Sequence, residues 1–574
     1  MAWGEALSPV QLSKLARISS RIEESIQPPP TCLEHSKAQS IRHVPSPPAT
    51  PSCGSDAGLE DQADALEAIL TSAEDLYSLL PELQQGEVRA AQELLRDAVT
   101  YLHSHTLRGE NMHVAVAHLA VSDAQRSRLL RLYYDAVAAA GYEIARPTTG
   151  LFSKSSTDND LPAGSVYTVF GGQGLRGNCL QELQDLRRTY PSFTRDLVDD
   201  ATALCRQLMA TESSVEQSLP YGLDIRAWLQ DPTQVPELSY LTSTPVSTPL
   251  IGLVQLAHYE VTCRVLGLTP GQFGRHVAGT TGHSQGILVA AATAMADDWS
   301  SWRQVTRAVI TALFWIGVRT QQTWDRLEVH GSMSEALTQD CLDHGEGVPS
   351  PMLHIRGLDK ASLETCLASM ARYIRHSSHR SKLGISITNG PRNVVVSGPP
   401  RYLYGLSLQV RKATLQKGLS GASETARVVA AKFLHVSVPF HSDLLAEAVS
   451  TIRHDLRDLD APAGALRVPV FSPEDGSLLG AGSHNGANGS SSVLQTLVKQ
   501  VVCRPANWQK ATMNLAGSGA GSGAGSPGPP PVLDFGPGGI HGISSLLPDR
   551  SRTILAGALS RGQASMGCKA DLFM

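Results

Sequence analysis

The chain has 574 residues, 42% hydrophobic and 18% charged, an ordinary globular composition with room for one large or two to three ordinary domains and a sizeable core. A net charge of −5 with no Lys/Arg block gives no electrostatic footprint for nucleic acid or an anionic membrane surface. The N-terminus MAWGEALSPVQLSKLARISS lacks a basic start followed by an apolar run, and the longest apolar stretch, around Ile287 to Ala296, is too short to span a bilayer; a soluble, cytoplasmic protein is expected. Nine cysteines scattered from Cys32 to Cys568, with no C-x-x-C pair and no histidine cluster at ligand spacing, suggest neither a disulfide framework nor a metal site.

Residues 9 to 25 have a helical pattern, but 27 to 58 are Pro/Ser-rich (PPP, VPSPPATPS) and cannot bury enough surface to order themselves, so 1–58 reads as a largely disordered segment. A helical N-terminal region follows over 59–160. Its clearest helix starts at the capping candidate Ser122, runs through QRSRLLRLYYDAVAAA and stops at Gly141. The polar stretch SKSSTDND (153–160) closes this region. Next, SVYTVF (165–170) is rich in β-branched and aromatic residues and runs into GGQG, a buried strand ending in a tight turn. HVAGTTGHSQG repeats the strand-to-turn step and leads into ILVAAATAMA, a buried helix, so 161–560 is expected to be an α/β domain. Inside it, 351–435 reads strand MLHIRGL, helix ASLETCLASMARY, strands ISITN and NVVVSG, helix YLYGLSLQVRKA and strand ARVVAAKFL. That is β-α-β-β-α-β, the ferredoxin-like order, as an inserted small subdomain. VPVFS (468–472) and PVLDF (531–535) return to the large subdomain; SHNGANGSSS and AGSGAGSGAGSPGPPP read as flexible surface loops, and 561–574 as a tail.

Gly282, His283, Ser284, Gln285 and Gly286 fit G-x-S-x-G, in which small flanking residues allow a sharp turn that presents the serine oxygen above a sheet. The bare pattern is weak, and the strand-turn-helix context carries the nucleophile reading for Ser284. Serine is a poor nucleophile at neutral pH and needs a general base within hydrogen-bond reach. Of nineteen histidines, His441 stands out because VSVPFHSDLL places it after an apolar, strand-like run; taken alone, a histidine in that setting is more often structural. His283 reads as packing. The charge that develops on a carbonyl oxygen under attack needs donors. The backbone N–H of Gln285 is one. A second can come from the GGQG turn, which by itself fits a phosphate-cradling loop or a plain turn equally well.

The ordered set FGGQG, GHSQG, LFWIGVR, SPML, ITNGPRNVVVSGPP, VPFHS, RPANW and LDFGPGG resembles the acetyltransferase domain of fungal type I fatty acid synthase β subunits, and YLHSHTLRGENMHVAVAHL resembles the region preceding it. The resemblance covers roughly 65 to 560 and implies an α/β-hydrolase-like large subdomain. It implies an acyl-serine on Ser284, His441 as base, and an oxyanion hole from the backbones of Gln285 and Gln173. It further implies that a backbone carbonyl near the DFGPGG turn orients the histidine, so Asp534 is not a triad member. Malonyl-using relatives carry an arginine on the helix after the nucleophile; the position resembles Ile316 here, with Arg319 three residues on sharing that face. The family's β subunit continues into further domains, whereas this chain stops at Met574 and resembles the first part alone.

The expected activity is thus loading of an acetyl or other short uncharged starter from acyl-CoA onto the phosphopantetheine of an acyl carrier protein, with no bound cofactor or metal. Other synthase subunits are possible further partners. The alternatives are a serine thioesterase or hydrolase, against which the lack of an acid between Ser284 and His441 argues, and a non-catalytic assembly subunit.

Overall fold

The computed structural model describes residues 16–21, 56–83, 85–119, 121–146, 151–152, 166–174, 179–327, 333–374, 383–419, 429–459, 466–480, 493–516, 530–549 and 552–556. Most of the N-terminal segment, the polar stretch at 153–160, both low-complexity loops and the tail lie outside these residues.

Ten strands are formed among the described residues: β1 Val166–Phe170, β2 Val277–Gly282, β3 Met352–Arg356, β4 Gly384–Gly390, β5 Asn393–Ser397, β6 Ala430–Phe433, β7 Val470–Phe471, β8 Ala506–Asn507, β9 Val532–Asp534 and β10 Thr553–Leu555. They make an α/β structure with two sheets. The larger has the order β10-β9-β1-β2-β7 and every pairing in it is parallel. Parallel strands need crossover connections and helices on their faces, which explains why the helix Gly286–Met295 after β2 is buried at every position. The smaller sheet has the order β6-β3-β5-β4-β8; its first four strands pair antiparallel in the order that a β-α-β-β-α-β chain produces, and β8 joins β4 in parallel.

N-terminal to the large sheet stand the helices Asp56–Leu79, Gln85–Tyr101, Met112–His118 and Asp123–Ala139. The last starts as expected, with Ser122 and Gln125 forming a reciprocal capping box. These helices share one continuous apolar core with the large sheet: Leu70, Leu95 and Tyr134 belong to the same cluster as Phe170, Leu253, Ile287 and Val498. A buried hydrogen bond between His113 Nε2 and the Tyr190 hydroxyl (2.9 Å) crosses from one region to the other. The small sheet has its own core, built on Leu353, Leu363, Val396, Leu406 and Phe433.

Candidate active site

The nucleophile elbow forms at the end of β2. Ser284 sits two residues beyond the strand with φ +54, and the helix Gly286–Met295 begins two residues later. Neither glycine of G-x-S-x-G tolerates a side chain: a Cβ on Gly282 would lie 2.1 Å from the carbonyl carbon of Gly286, and one on Gly286 would lie 2.4 Å from the Gly171 carbonyl oxygen. Burial leaves Ser284 only 7% exposed.

His441 reaches this serine from a segment 157 residues later, with Nε2 2.8 Å from Ser284 Oγ. Its approach differs from the strand-end expectation, because residues 436–440 are largely buried but irregular, forming no strand. The second ring nitrogen, Nδ1, donates to the carbonyls of Arg504 (2.8 Å) and Gln500 (3.2 Å). With Nδ1 carrying the proton, Nε2 is left as the acceptor facing the serine hydroxyl. The carbonyls that orient the ring thus come from the end of the helix Val493–Val502 and from RPANW, correcting the expectation that they come from the DFGPGG turn. That turn serves another purpose: the Asp534 carboxylate is closed on its own loop, accepting from the N–H groups of Gly536 (2.8 Å) and Ser544 (2.9 Å). Burial pushes the Asp534 carboxyl up to about 6 and the His441 imidazole down to about 4; for the latter, the carbonyl contacts only partly oppose burial. Near neutral pH the ring is therefore uncharged and competent to accept a proton.

The FGGQG turn lies on the elbow. A Cβ at Gly172 would come within 2.8 Å of the His283 carbonyl and 3.0 Å of Ser284 Cβ, so glycine is required by close approach. Next in sequence, Gln173 is anchored through its side chain, Nε2 donating to Ser247 Oγ (2.6 Å) and the Thr242 carbonyl (3.2 Å). Gln285 is anchored the same way to the Thr248 carbonyl (3.1 Å). Both anchors belong to the helix Thr244–Val265 or the residues just ahead of it. His283 packs, as its sequence context suggested: its ring lies edge-on to Trp508 and pairs with Asn389 Oδ1 of β4 at 2.9 Å, tying the small sheet to the elbow.

Ile316 is fully buried in the helix Trp299–Asp325, the second helix after the nucleophile rather than the first. Arg319, one turn on, turns its whole guanidinium elsewhere. Nε and Nη2 donate to Asp455, Nη1 and Nη2 to Glu212 and Nη1 also to Gln322, while the plane lies over Trp315 at 4.6 Å. Burial alone would lower its pKa, but the two carboxylates more than offset this and raise it, so the cation is permanent. The sequence offered no signal for the Gln500 and Arg504 carbonyls, whose role is purely positional. Ser247 and Thr242 were equally silent. Among the described residues no group of three or more His, Cys, Asp or Glu is placed to hold a metal ion, and no helix is long and apolar enough to cross a membrane.

Residues 168–429 match the family described as SAT, starter unit:ACP transacylase in aflatoxin biosynthesis. The chain is 36% identical over 476 residues to the fatty acid synthase beta subunit TOXC of Cochliobolus carbonum, covering 81% of this chain and 21% of that protein. It is 31% identical over 507 residues to the fatty acid synthase subunit beta of Saccharomyces cerevisiae, covering 86% and 23%. It thus spans about a fifth of the length of these relatives. Among solved structures, a malonyl-CoA:acyl carrier protein transacylase from Xanthomonas oryzae pv. oryzae superposes with a TM-score of 0.44 at 17% identity, over 69% of this chain and 96% of that one.

Proposed function

We propose that this chain, which carries the starter-unit transacylase region of the fungal fatty acid synthase β subunits, moves a short uncharged acyl group from coenzyme A to the phosphopantetheine thiol of an acyl carrier protein through Ser284. The observation that carries the reading is the 2.8 Å contact between His441 Nε2 and Ser284 Oγ, with Nδ1 held on two carbonyls. Ser284 Oγ attacks the thioester carbonyl while its proton passes to His441 Nε2. The carbon–sulfur bond then breaks, and coenzyme A leaves as a thiol, taking the proton from Nε2. In the second half the pantetheine thiol gives its proton to His441, attacks the acyl-serine ester, and Ser284 regains the proton. The oxyanion of each tetrahedral intermediate is received, on this reading, by the backbone N–H groups of Gln285 and Gln173; the parallel pairing of β1 and β2, whose ends lead into the FGGQG turn and the elbow, supports it.

A carbonyl-oriented histidine with no carboxylate partner among the described residues suits this chemistry. A thioester is already activated, and each half-reaction only exchanges one oxygen or sulfur nucleophile for another. Thioester exchange is redox-neutral and calls for no resident cofactor. The acyl group is uncharged on this reading, because the malonyl-binding position is aliphatic and Arg319 has every N–H engaged with other partners. The large sheet reads as an α/β-hydrolase-like subdomain and the small one as a ferredoxin-like insert, a reading supported by strand order. Starter loading places the protein in the cytoplasm beside a carrier-protein domain and other synthase subunits. Intact-protein mass spectrometry after incubation with acetyl-, hexanoyl- and malonyl-CoA tests the proposal. A mass increase of one acyl group on Ser284 is expected from the uncharged donors, and its absence with every donor would overturn the assignment.

A further inference from the structure

We propose that Gln255 is a positioning residue for acylation, holding the FGGQG turn so that the Gln173 N–H faces the developing oxyanion; this rests on the acyl-serine reading above. Gln255 is fully buried in the apolar run PLIGLVQLA of the helix Thr244–Val265. Its amide nitrogen donates to two carbonyls at 2.8 Å each, Gly171 in the turn after β1 and Gly536 in the turn after β9. Gly171 N–H also donates to the Gly536 carbonyl at 2.8 Å, which closes a three-membered set of contacts.

The Gly171 carbonyl is the acceptor that faces the elbow glycine Gly286. Its direction fixes the plane of the peptide that leads into Gly172, and Gly172 lies directly on Ser284. The helix and the residues just ahead of it therefore grip the turn at both ends, with Gln255 at Gly171 and Ser247 with Thr242 at the Gln173 side chain. The intervening backbone, which carries the Gln173 N–H, is left with little freedom to rotate.

Packing does not explain a polar residue here. The Gln255 Oε1 is buried with no hydrogen-bond partner among the described residues, so the side chain bears the desolvation cost of an amide for the sake of its two donor contacts. A leucine would fill the position without that cost. What a leucine cannot supply is the pair of N–H groups that aligns the two carbonyls.

The test measures two reactions of Ser284 in the parent, Gln255→Leu and Gln255→Met. The first is single-turnover acylation by acetyl-CoA. The second is labelling by a fluorophosphonate, whose phosphoryl oxygen occupies the same hole and whose reaction does not depend on the natural acyl group. Circular dichroism and thermal melting establish that each variant is folded; the flexible methionine provides a second variant should leucine prevent folding. We expect maximal rates of both reactions to fall roughly 10- to 100-fold, as for a donor displaced by a fraction of an ångström. The half-saturating probe concentrations and the pH midpoint set by His441 should stay at parental values. Rates within twofold of the parent in a folded variant overturn the proposal, as does a loss confined to half-saturation or accompanied by a shifted pH midpoint. If the parent reacts with the fluorophosphonate and with no acyl-CoA, the transferase reading fails while the phosphonylation rates still decide the role of Gln255. A parent that neither probe labels overturns both.

Discussion

Ser284 and His441, whose side chains meet at 2.8 Å, are both held in left-handed backbone, at φ +54 and +57, and among the described residues only one other non-glycine residue, Arg108, has positive φ. Left-handed backbone is costly for residues with a Cβ and persists where the surroundings over-determine it. At Ser284 the close-packed glycines of the elbow do so. At His441 the ring is held on one side by two carbonyls and on the other by the serine, and the neighbouring Ser442 N–H is bound to the Val502 carbonyl. The two strained residues point at each other.

Replacing Ser284 by alanine removes the nucleophile of a cooperating set, for which losses are on the order of 10⁶ in turnover. Acylation by acetyl-CoA should vanish in intact-mass measurements while the melting temperature stays near the parental value. Persistent acylation of the variant would put the nucleophile elsewhere.

The pH dependence follows from the depressed pKa of His441. Burial is the main cause, and the imidazole titrates at about 4 in the folded protein against 6.5 unperturbed. Acylation at saturating acetyl-CoA should therefore hold its neutral-pH rate well below pH 6.5 and reach half near pH 4. The sign for stability is the same. The unfolded chain takes up this proton from about 6.5 downward and the folded chain only near 4, so the contribution of the neutral ring is complete above 6.5 and is lost as pH falls towards 4. A rate midpoint at 6.5 would show that the ring is more solvated than its burial implies.

Gly172→Ala should impair acylation without any change in the reacting groups. The added methyl would meet the His283 carbonyl at 2.8 Å and Ser284 Cβ at 3.0 Å, so either the turn or the elbow must shift. A displacement of this kind costs up to about 100-fold in rate. Single-turnover kinetics on the folded variant check this.

Substrate choice should follow from Ile316. A free carboxylate against an aliphatic side chain stays unpaired, and acetyl-CoA should be preferred over malonyl-CoA by about 100-fold in kcat/KM, equivalent to roughly 2.7 kcal/mol. Ile316→Arg should narrow or reverse the preference. Arg319→Ala should leave the preference unchanged but destabilise the fold by about 1–3 kcal/mol, because it leaves the part-buried carboxylate of Asp455 without its guanidinium partner. Equal kcat/KM for the two donors in the parent would end the uncharged-acyl assignment.

Asp534→Asn separates structure from chemistry. Its carboxylate accepts two backbone N–H groups, and losing one such contact in a buried loop costs about 1–3 kcal/mol. Because burial raises this carboxyl to about 6 from 3.8, its titration favours the fold below 3.8 and that contribution is lost as pH rises through 6. The melting-temperature deficit of the variant should accordingly shrink between pH 4 and 7, with the acylation midpoint unmoved.

Local chemistry was legible in the order of residues. The β-α-β-β-α-β run over 351–435, the buried helix after Ser284 and the helix cap at Ser122 each depend on contacts within a few residues or on a period that the residues themselves display. The G-x-S-x-G spacing marked the elbow because its glycines answer a steric demand inside one turn. Of what joins distant segments, the pairing of Ser284 with His441 was implied by the family resemblance and not by the residues alone, and the contacts that hold the two in place were not legible. The carbonyls of Gln500 and Arg504 under His441, the retreat of Arg319 to Glu212 and Asp455, and the grip of Gln255 on Gly171 and Gly536 span from 59 to 281 positions of chain. A backbone carbonyl is the same in every residue, so nothing in its side chain records which ring it will hold. Only the packing of the parallel sheet and its helices, which brings the ends of β1, β2 and β9 together, decides that.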